Sequence, residues 1–252
     1  MPSASDLDRL AQQRLRALIG AGVIIVILVL VVVALWPGSD TPPQSAPSPT
    51  QSPTASSLSP GQGEYVVAER STRLPDPGRY LNRTYRVQFP HTVEGAAAAA
   101  VAMYQQVWTL DPGAAGKAVD VYFTAADRPA RRADAAASST WMRQQMGLPA
   151  TGEVPAGANV SIQATGVQWK IVDADNVYVS VLMRLDMMAG PGATLQTTSA
   201  ATTVHMRWDP TLRGGDWAVI QTPANQMPKP ATAEVGTVAY NEQGWMAIRP
   251  GG

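Results

Sequence analysis

The stretch "VSIQATGVQWKIVDADNVYVSVLMRLDMM" (residues 160–188) decides how this chain is to be read. Val160, Ile162 and Ala164 alternate with polar residues, and Val167, Trp169 and Ile171 continue the alternation in the opposite parity. One residue is therefore inserted near Gly166, where a bulge would bend the strand. "DADN" (173–176) reads as a hairpin turn. Beyond it Val177, Val179, Val181, Met183, Leu185 and Met187 share one face, the period-two pattern of a half-covered strand.

Working outward toward the C-terminus, "AGPGA" (189–193) turns the chain again, and Val204, Met206 and Trp208 place a third strand on the same face. "DPTLRGGD" (209–216) turns once more and "WAVIQT" (217–222) supplies a fourth strand. The residues after Pro223 are expected to form a tail with little regular structure.

Toward the N-terminus the period becomes helical. Val93, Ala97, Ala100, Val101, Tyr104 and Trp108 recur at three- and four-residue steps, and "DPG" (111–113) stops the run. A second helix is expected over 117–124. A third is expected over 128–146, with Ala133, Ala137, Trp141 and Met146 inward and Arg131, Arg132 and Arg143 solvated. Residues 64–90 read as irregular, with "YRVQF" (85–89) as a short strand or extended cover. The fold class is then α+β: three N-terminal helices packed on a bent four-stranded antiparallel sheet, preceded by one transmembrane helix and a disordered linker.

The transmembrane expectation rests on "LIGAGVIIVILVLVVVALW", residues 18–36. Its 19 residues carry no charge and as a helix would span ~28 Å, close to the hydrocarbon thickness of a bilayer. The run is longer than a signal-peptide core and lacks an A-x-A end. Arg9, Arg14 and Arg16 precede it and no Lys or Arg follows until Arg70. The positive-inside bias then puts residues 1–17 in the cytoplasm and 64–252 outside the cell membrane. Residues 37–63 are mostly Pro, Ser, Thr, Gln and Gly, too poor in apolar side chains to offset chain entropy, and read as a disordered linker. Residues 64–252 form the extracytoplasmic domain, with its core at 90–222.

Composition narrows the function classes. The chain has 19 basic and 19 acidic residues, three of each before residue 64, so the folded part carries 16 of each. No net positive charge recruits nucleic acid, and none is expected as a partner. Cysteine is absent, which removes disulfides, thiol catalysis and cysteine-ligated metal.

Helices followed by a bent four-stranded meander, with "DWAVI" (216–220) near the end of the sheet, resemble the nuclear transport factor 2-like cone fold. With an N-terminal anchor, the pattern is similar to the membrane-anchored assembly proteins of type IV secretion and of conjugation in Gram-positive, actinobacterial species. The resemblance implies a protein-interaction module whose partners are the membrane, other envelope, conjugation or secretion proteins, and copies of itself.

Motifs for chemistry fail on inspection. "DPGAAGKA" (111–118) lacks the first glycine and the closing hydroxyl of a phosphate-binding loop. There is no H-E-x-x-H or G-x-S-x-G, and the two histidines stand far apart, so no catalytic residue, metal or cofactor is assigned. In "PHTVEG" (90–95) Thr92 reads as an N-cap and Glu94 suits the helix dipole, which makes His91 a neighbour of the cap. Cone-fold isomerases and cyclases set an Asp or His base beside a Tyr. The alternative reading is therefore such an enzyme, or a small-ligand-binding domain, built on Tyr104, Tyr122, Asp120 and His205. The favoured reading is a non-enzymatic module, and the polar side of the sheet, which reads first as a solvated face, offers its candidate interaction surface: Tyr178, Leu182, Arg184, Asp186, His205 and Arg207.

Overall fold

A computed structural model of the protein describes residues 65–249. Three helices form near the expected places, but the second starts at Pro112 and not at 117, because the "DPG" read as the stop of the first helix caps and opens the next. α1 (Val93–Val107) begins at Thr92, whose hydroxyl accepts the Gly95 N–H at 3.0 Å. α2 (Pro112–Tyr122) begins at Asp111, whose carboxylate accepts the Gly113 N–H at 2.8 Å, and its proline sits in the first turn, where a missing N–H costs nothing. α3 (Arg128–Gln145) completes the set.

A four-stranded antiparallel sheet comes next in the chain, in the order β4 (Asn159–Ile171), β5 (Asn176–Met188), β6 (Gln196–Asp209) and β7 (Asp216–Ile220). The β4–β5 register shifts between Ala164 and Gly166, the inserted residue of the alternation. Val167, Val177, Val179, Val181, Met183, Leu185 and Met206 point to one face and pack in a single cluster with the alanine-rich α1. The alanines of α1 from Ala96 to Ala100 are no more than 5% exposed. Small side chains there let the helix axis come close to the sheet.

The expected fold class is corrected at both ends of the domain. The helices do not open it. Three short strands precede them, β1 (Ser71–Arg73), β2 (Arg79–Leu81) and β3 (Tyr85–Val87), the last two forming an antiparallel pair. Each has three residues, too few for a period to register in the sequence. The residues after Pro223 are not a loose tail either. They include α4 (Val238–Glu242) and β8 (Ala247–Arg249), and β8 pairs in parallel with β1. Tyr240 and Trp245, both fully buried, meet Leu182 on the sheet face opposite α1, with Ala68, Ala201, Ala233 and Ala247 around them. The sheet is thus covered on both sides, where an open outer face was expected.

Within α3 the inward stripe also differs from expectation. Ala135, Ser139, Met142 and Arg143 are buried, whereas Ala133 and Ala137 are exposed. Arg143, expected in solvent, is 1% exposed, and its guanidinium donates to the carbonyls of Leu110 (2.7 Å), Gly152 (2.9 Å) and Pro149 (3.3 Å). It ties the loop after α3 back to the loop before α2. Among the described residues no helix is long and apolar enough to cross a membrane. Residues 1–17, 18–36 and 37–63, for which the cytoplasmic segment, the span and the linker are expected, lie outside the described residues.

Candidate functional site

The candidate docking residues sit on β5 and β6, the two central strands, in cross-strand register. Tyr178 faces His205, Ser180 faces Thr203, Leu182 faces Ala201, Arg184 faces Ser199 and Asp186 faces Thr197. Alternation puts all of them on the side away from α1. The C-terminal segment then divides them. Leu182 is 1% exposed beneath Tyr240 and Trp245, and Ser180 and Thr203 share a buried 2.7 Å hydrogen bond beside it. Tyr178 and Asp186 lie eight residues apart on β5, roughly 27 Å along the strand, so two separate polar ends remain.

At one end Asp186 accepts from the Thr197 hydroxyl (2.7 Å) and from Arg184 Nε (3.0 Å). The Thr197 and Arg184 bonds hold the Asp186 carboxyl below the usual carboxylate range. The cluster therefore stays ionised and ordered while Arg184 remains exposed. At the other end the Tyr178 and His205 rings meet at 4.5 Å, and His205 Nδ1 lies 2.8 Å from the Thr222 hydroxyl. Burial, and then the nearby Arg207 charge, push the His205 pKa down, against a smaller opposing effect of Asp173. Its Nε2 is buried and has no hydrogen-bond partner among the described residues. A neutral ring is the form this environment favours.

The residues of the enzyme alternative do not converge. Tyr104 donates to Thr202 Oγ1 at 3.2 Å on the helix side of the sheet, and Tyr122 donates to the Arg86 carbonyl at 3.1 Å. Burial drives both phenols far above their ordinary pKa. Asp120 is ion-paired with Arg132, and His205 lies on the opposite face of the sheet from Tyr104. No acid and base among these four share a hydrogen bond, which general acid–base catalysis on a common substrate atom would need.

His91 lies outside both groups. Its ring stacks on Trp208 at 4.3 Å with a 7° interplanar angle, and its Nε2 meets Asp175 Oδ1 at 2.9 Å and the Ala174 carbonyl at 3.1 Å. It joins the start of α1 to the β4–β5 hairpin.

The sequence reading missed a second knot close by. The Asp216 carboxylate, 1% exposed, accepts from the N–H groups of Gln88 (2.6 Å), Phe89 (3.2 Å) and Trp217 (2.8 Å), and from Arg213 Nε (2.9 Å). Gln88 and Arg213 both adopt left-handed backbone, φ 58° and 57°, a conformation that costs a non-glycine residue of order 1 kcal/mol and persists only where surroundings over-determine it. Arg213 Nη1 also donates to the Val121 carbonyl at 2.8 Å. The knot locks the end of β3, the end of α2 and the start of β7 together. "RGGD" (213–216) carried the turn signal for it, but two of the carboxylate's partners, Gln88 and Phe89, are 128 and 127 positions away.

Asp111, Arg143, Gly152, Glu153 and Val154 line an open recess beside α3, but three carbonyls already take the donors that Arg143 would offer there. Among the described residues no group of three or more His, Cys, Asp or Glu side chains is placed to hold a metal ion. Compared with known proteins, the chain matches no family model, no curated protein and no solved structure.

Proposed function

We propose that the chain is a membrane-anchored, extracytoplasmic interaction module that docks other envelope proteins, as a component of a conjugation or secretion apparatus would. The observation that carries this reading is the Arg184–Asp186–Thr197 cluster. Its charges are fixed by mutual hydrogen bonds on a central strand, yet Arg184 stays exposed, so a partner meets a pre-ordered polar surface and little side-chain entropy is lost on binding. The uncharged run at residues 18–36, with arginines only on its N-terminal side, supports the anchor and its orientation. The divergent partners of Tyr104, Tyr122, Asp120 and His205 favour this reading over the enzyme.

The test combines topology with docking. A reporter fused after Gly252 is active only outside the cytoplasm, and Arg184→Glu with Arg207→Glu in the full chain weakens crosslinks to envelope proteins while the domain stays folded. Cytoplasmic reporter activity overturns the anchor. An unchanged crosslinking pattern in the double variant overturns the docking face.

A further inference from the structure

The sheet protects its edges unevenly. The outer edge of β4 is met by Met246, which exchanges backbone hydrogen bonds with Val167 at 3.0 and 3.1 Å. The outer edge of β7 is met by the loop after α2, where Thr124 N–H donates to the Val219 carbonyl at 3.2 Å and Gln221 N–H donates to Asp127 at 3.0 Å. β6 is different. β5 pairs with it from Gln196 to Arg207, but β7 pairs only with His205–Asp209. Among the described residues, 197–203 of β6 therefore have a strand partner on one side alone.

The direction of their backbone groups follows from one hydrogen bond. Trp208 N–H donates to the Asp175 carbonyl, on the β5 side. In an antiparallel strand both backbone groups of a residue point the same way and alternate along the chain. Even-numbered residues of β6 thus face β5. The odd-numbered ones face β7 at His205 and beyond, and at Thr197, Ser199, Ala201 and Thr203 they face the side on which β7 no longer pairs. Among the described residues no backbone hydrogen bond outside the β5–β6 ladder reaches these four. Proteins usually blunt such an edge with Lys, Pro, a bulge or a cover. Residues 196–203, "QTTSAATT", have no charge and no proline, and the β5–β6 register runs through them without a shift.

The same stretch is close to a palindrome about Ala200. Read antiparallel to itself, Thr197 meets Thr203, Thr198 meets Thr202, and Ser199 meets Ala201. The parity agrees as well: the outward-facing odd residues meet odd residues, and those are the pairs that must exchange N–H···O=C bonds. We propose that the free edge of β6 is a self-association site, at which a second copy of this chain adds its own β6 antiparallel about a two-fold axis through Ala200. Such an isologous contact closes on itself and joins the two sheets into one. Cross-strand threonine pairs and small side chains favour close approach. This proposal does not depend on the anchored-module reading; it shares Thr197 with the Arg184–Asp186–Thr197 cluster, and its test leaves Arg184 and Arg207 unchanged.

The chain has no cysteine, so a single introduced thiol reports the register directly. Across the two-fold axis Ala200 faces its own copy at a non-hydrogen-bonded position, where Cα atoms lie about 4.5 Å apart, within the separation a disulfide accepts. In the full chain, Ala200→Cys gives a disulfide-linked dimer under mild oxidation. Thr198→Cys and Thr202→Cys each fail alone but crosslink when mixed. Ser199→Pro removes an outward N–H, abolishes the Ala200→Cys product and leaves the circular dichroism unchanged. Independently of any thiol, the parent chain sediments as a dimer in mild detergent and Ser199→Pro as a monomer. A monomeric parent at all concentrations, equal crosslinking at the three positions, or a dimer that survives Ser199→Pro each overturns the proposal.

Discussion

One sheet has two faces, and the chain covers them by different means. The inner face receives α1, with α2 beside it and α3 packed mainly on α2, and shares one large cluster with them, from Phe89 to Met246. The outer face receives a strap with one short helix and one three-residue strand, which reaches the sheet through Tyr240 and Trp245 on Leu182 and through Met246 at the edge of β4. A cover without a long regular element makes up for the lack with large side chains at the few places it touches. Loss of one contact is shared among many neighbours on the inner side, but among very few on the outer side.

The sharpest way to break this comparison is Trp245→Ala. Trp245 is fully buried and its Nε1 donates to the Ala231 carbonyl at 3.1 Å, so truncation is expected to cost ~3–5 kcal/mol. Amide exchange should then rise in β1 and β8 while β5 stays protected. A cost below ~1 kcal/mol would show that the strap is a passive cover.

Asp216→Ala tests the knot on the other side and should cost about 3 kcal/mol, because the Arg213 guanidinium, held against Asp216 at 2.8 Å, loses its counter-charge in a buried place. Urea unfolding measures it. A nearly neutral result would mean that Arg213 swings out to solvent.

Gly166→Ala probes the close approach of the strap to the bulge. A Cβ at Gly166 would lie 2.7 Å from the Tyr240 hydroxyl, which now donates to the Thr165 carbonyl at 2.9 Å. The expected loss is about 2 kcal/mol, typical of overpacking, and Trp245→Ala should diminish it by freeing the strap.

Thr92→Ala removes the cap of α1, for about 1 kcal/mol, a local effect on the helix-covered side that should leave β8 amides unchanged.

The smallest effect is a pH dependence. His205 titrates lower in the fold than its ordinary value of 6.5, first because of burial. Between the two pKa values the unfolded chain binds more protons, so stability is fully present above about pH 6.5 and falls as pH drops through that value toward the folded pKa. Thermal melts of parent and His205→Gln across this window should diverge, with the variant declining less. Parallel curves would place the pH response elsewhere.

Local pattern accounts for what was legible in the sequence. The alternation from Val160 to Met187, the parity change near Gly166 and the Thr92 cap each depend on residues within a few positions of one another, and the structure has each of them in place. The docking residues could be assigned to one face because parity alone sets their side of the strand. Parity could not show that Leu182 is covered, because its cover comes from residues more than fifty positions away whose isolated aromatics have no period.

The sequence by itself therefore determined the long runs, α1, α3 and the strands β4 to β7, and the side on which each of their strand residues stands, since backbone geometry makes those local properties. Only the tertiary structure decided that the C-terminal strap covers the middle of the outer face, that Arg143 is buried against three carbonyls, that Asp216 gathers the ends of β3 and α2, and that residues 197–203 of β6 have, among the described residues, a strand partner on one side alone. Each of these depends on which distant segments arrive at the same place, and that is settled by competition for buried area and for unsatisfied backbone groups across the whole domain.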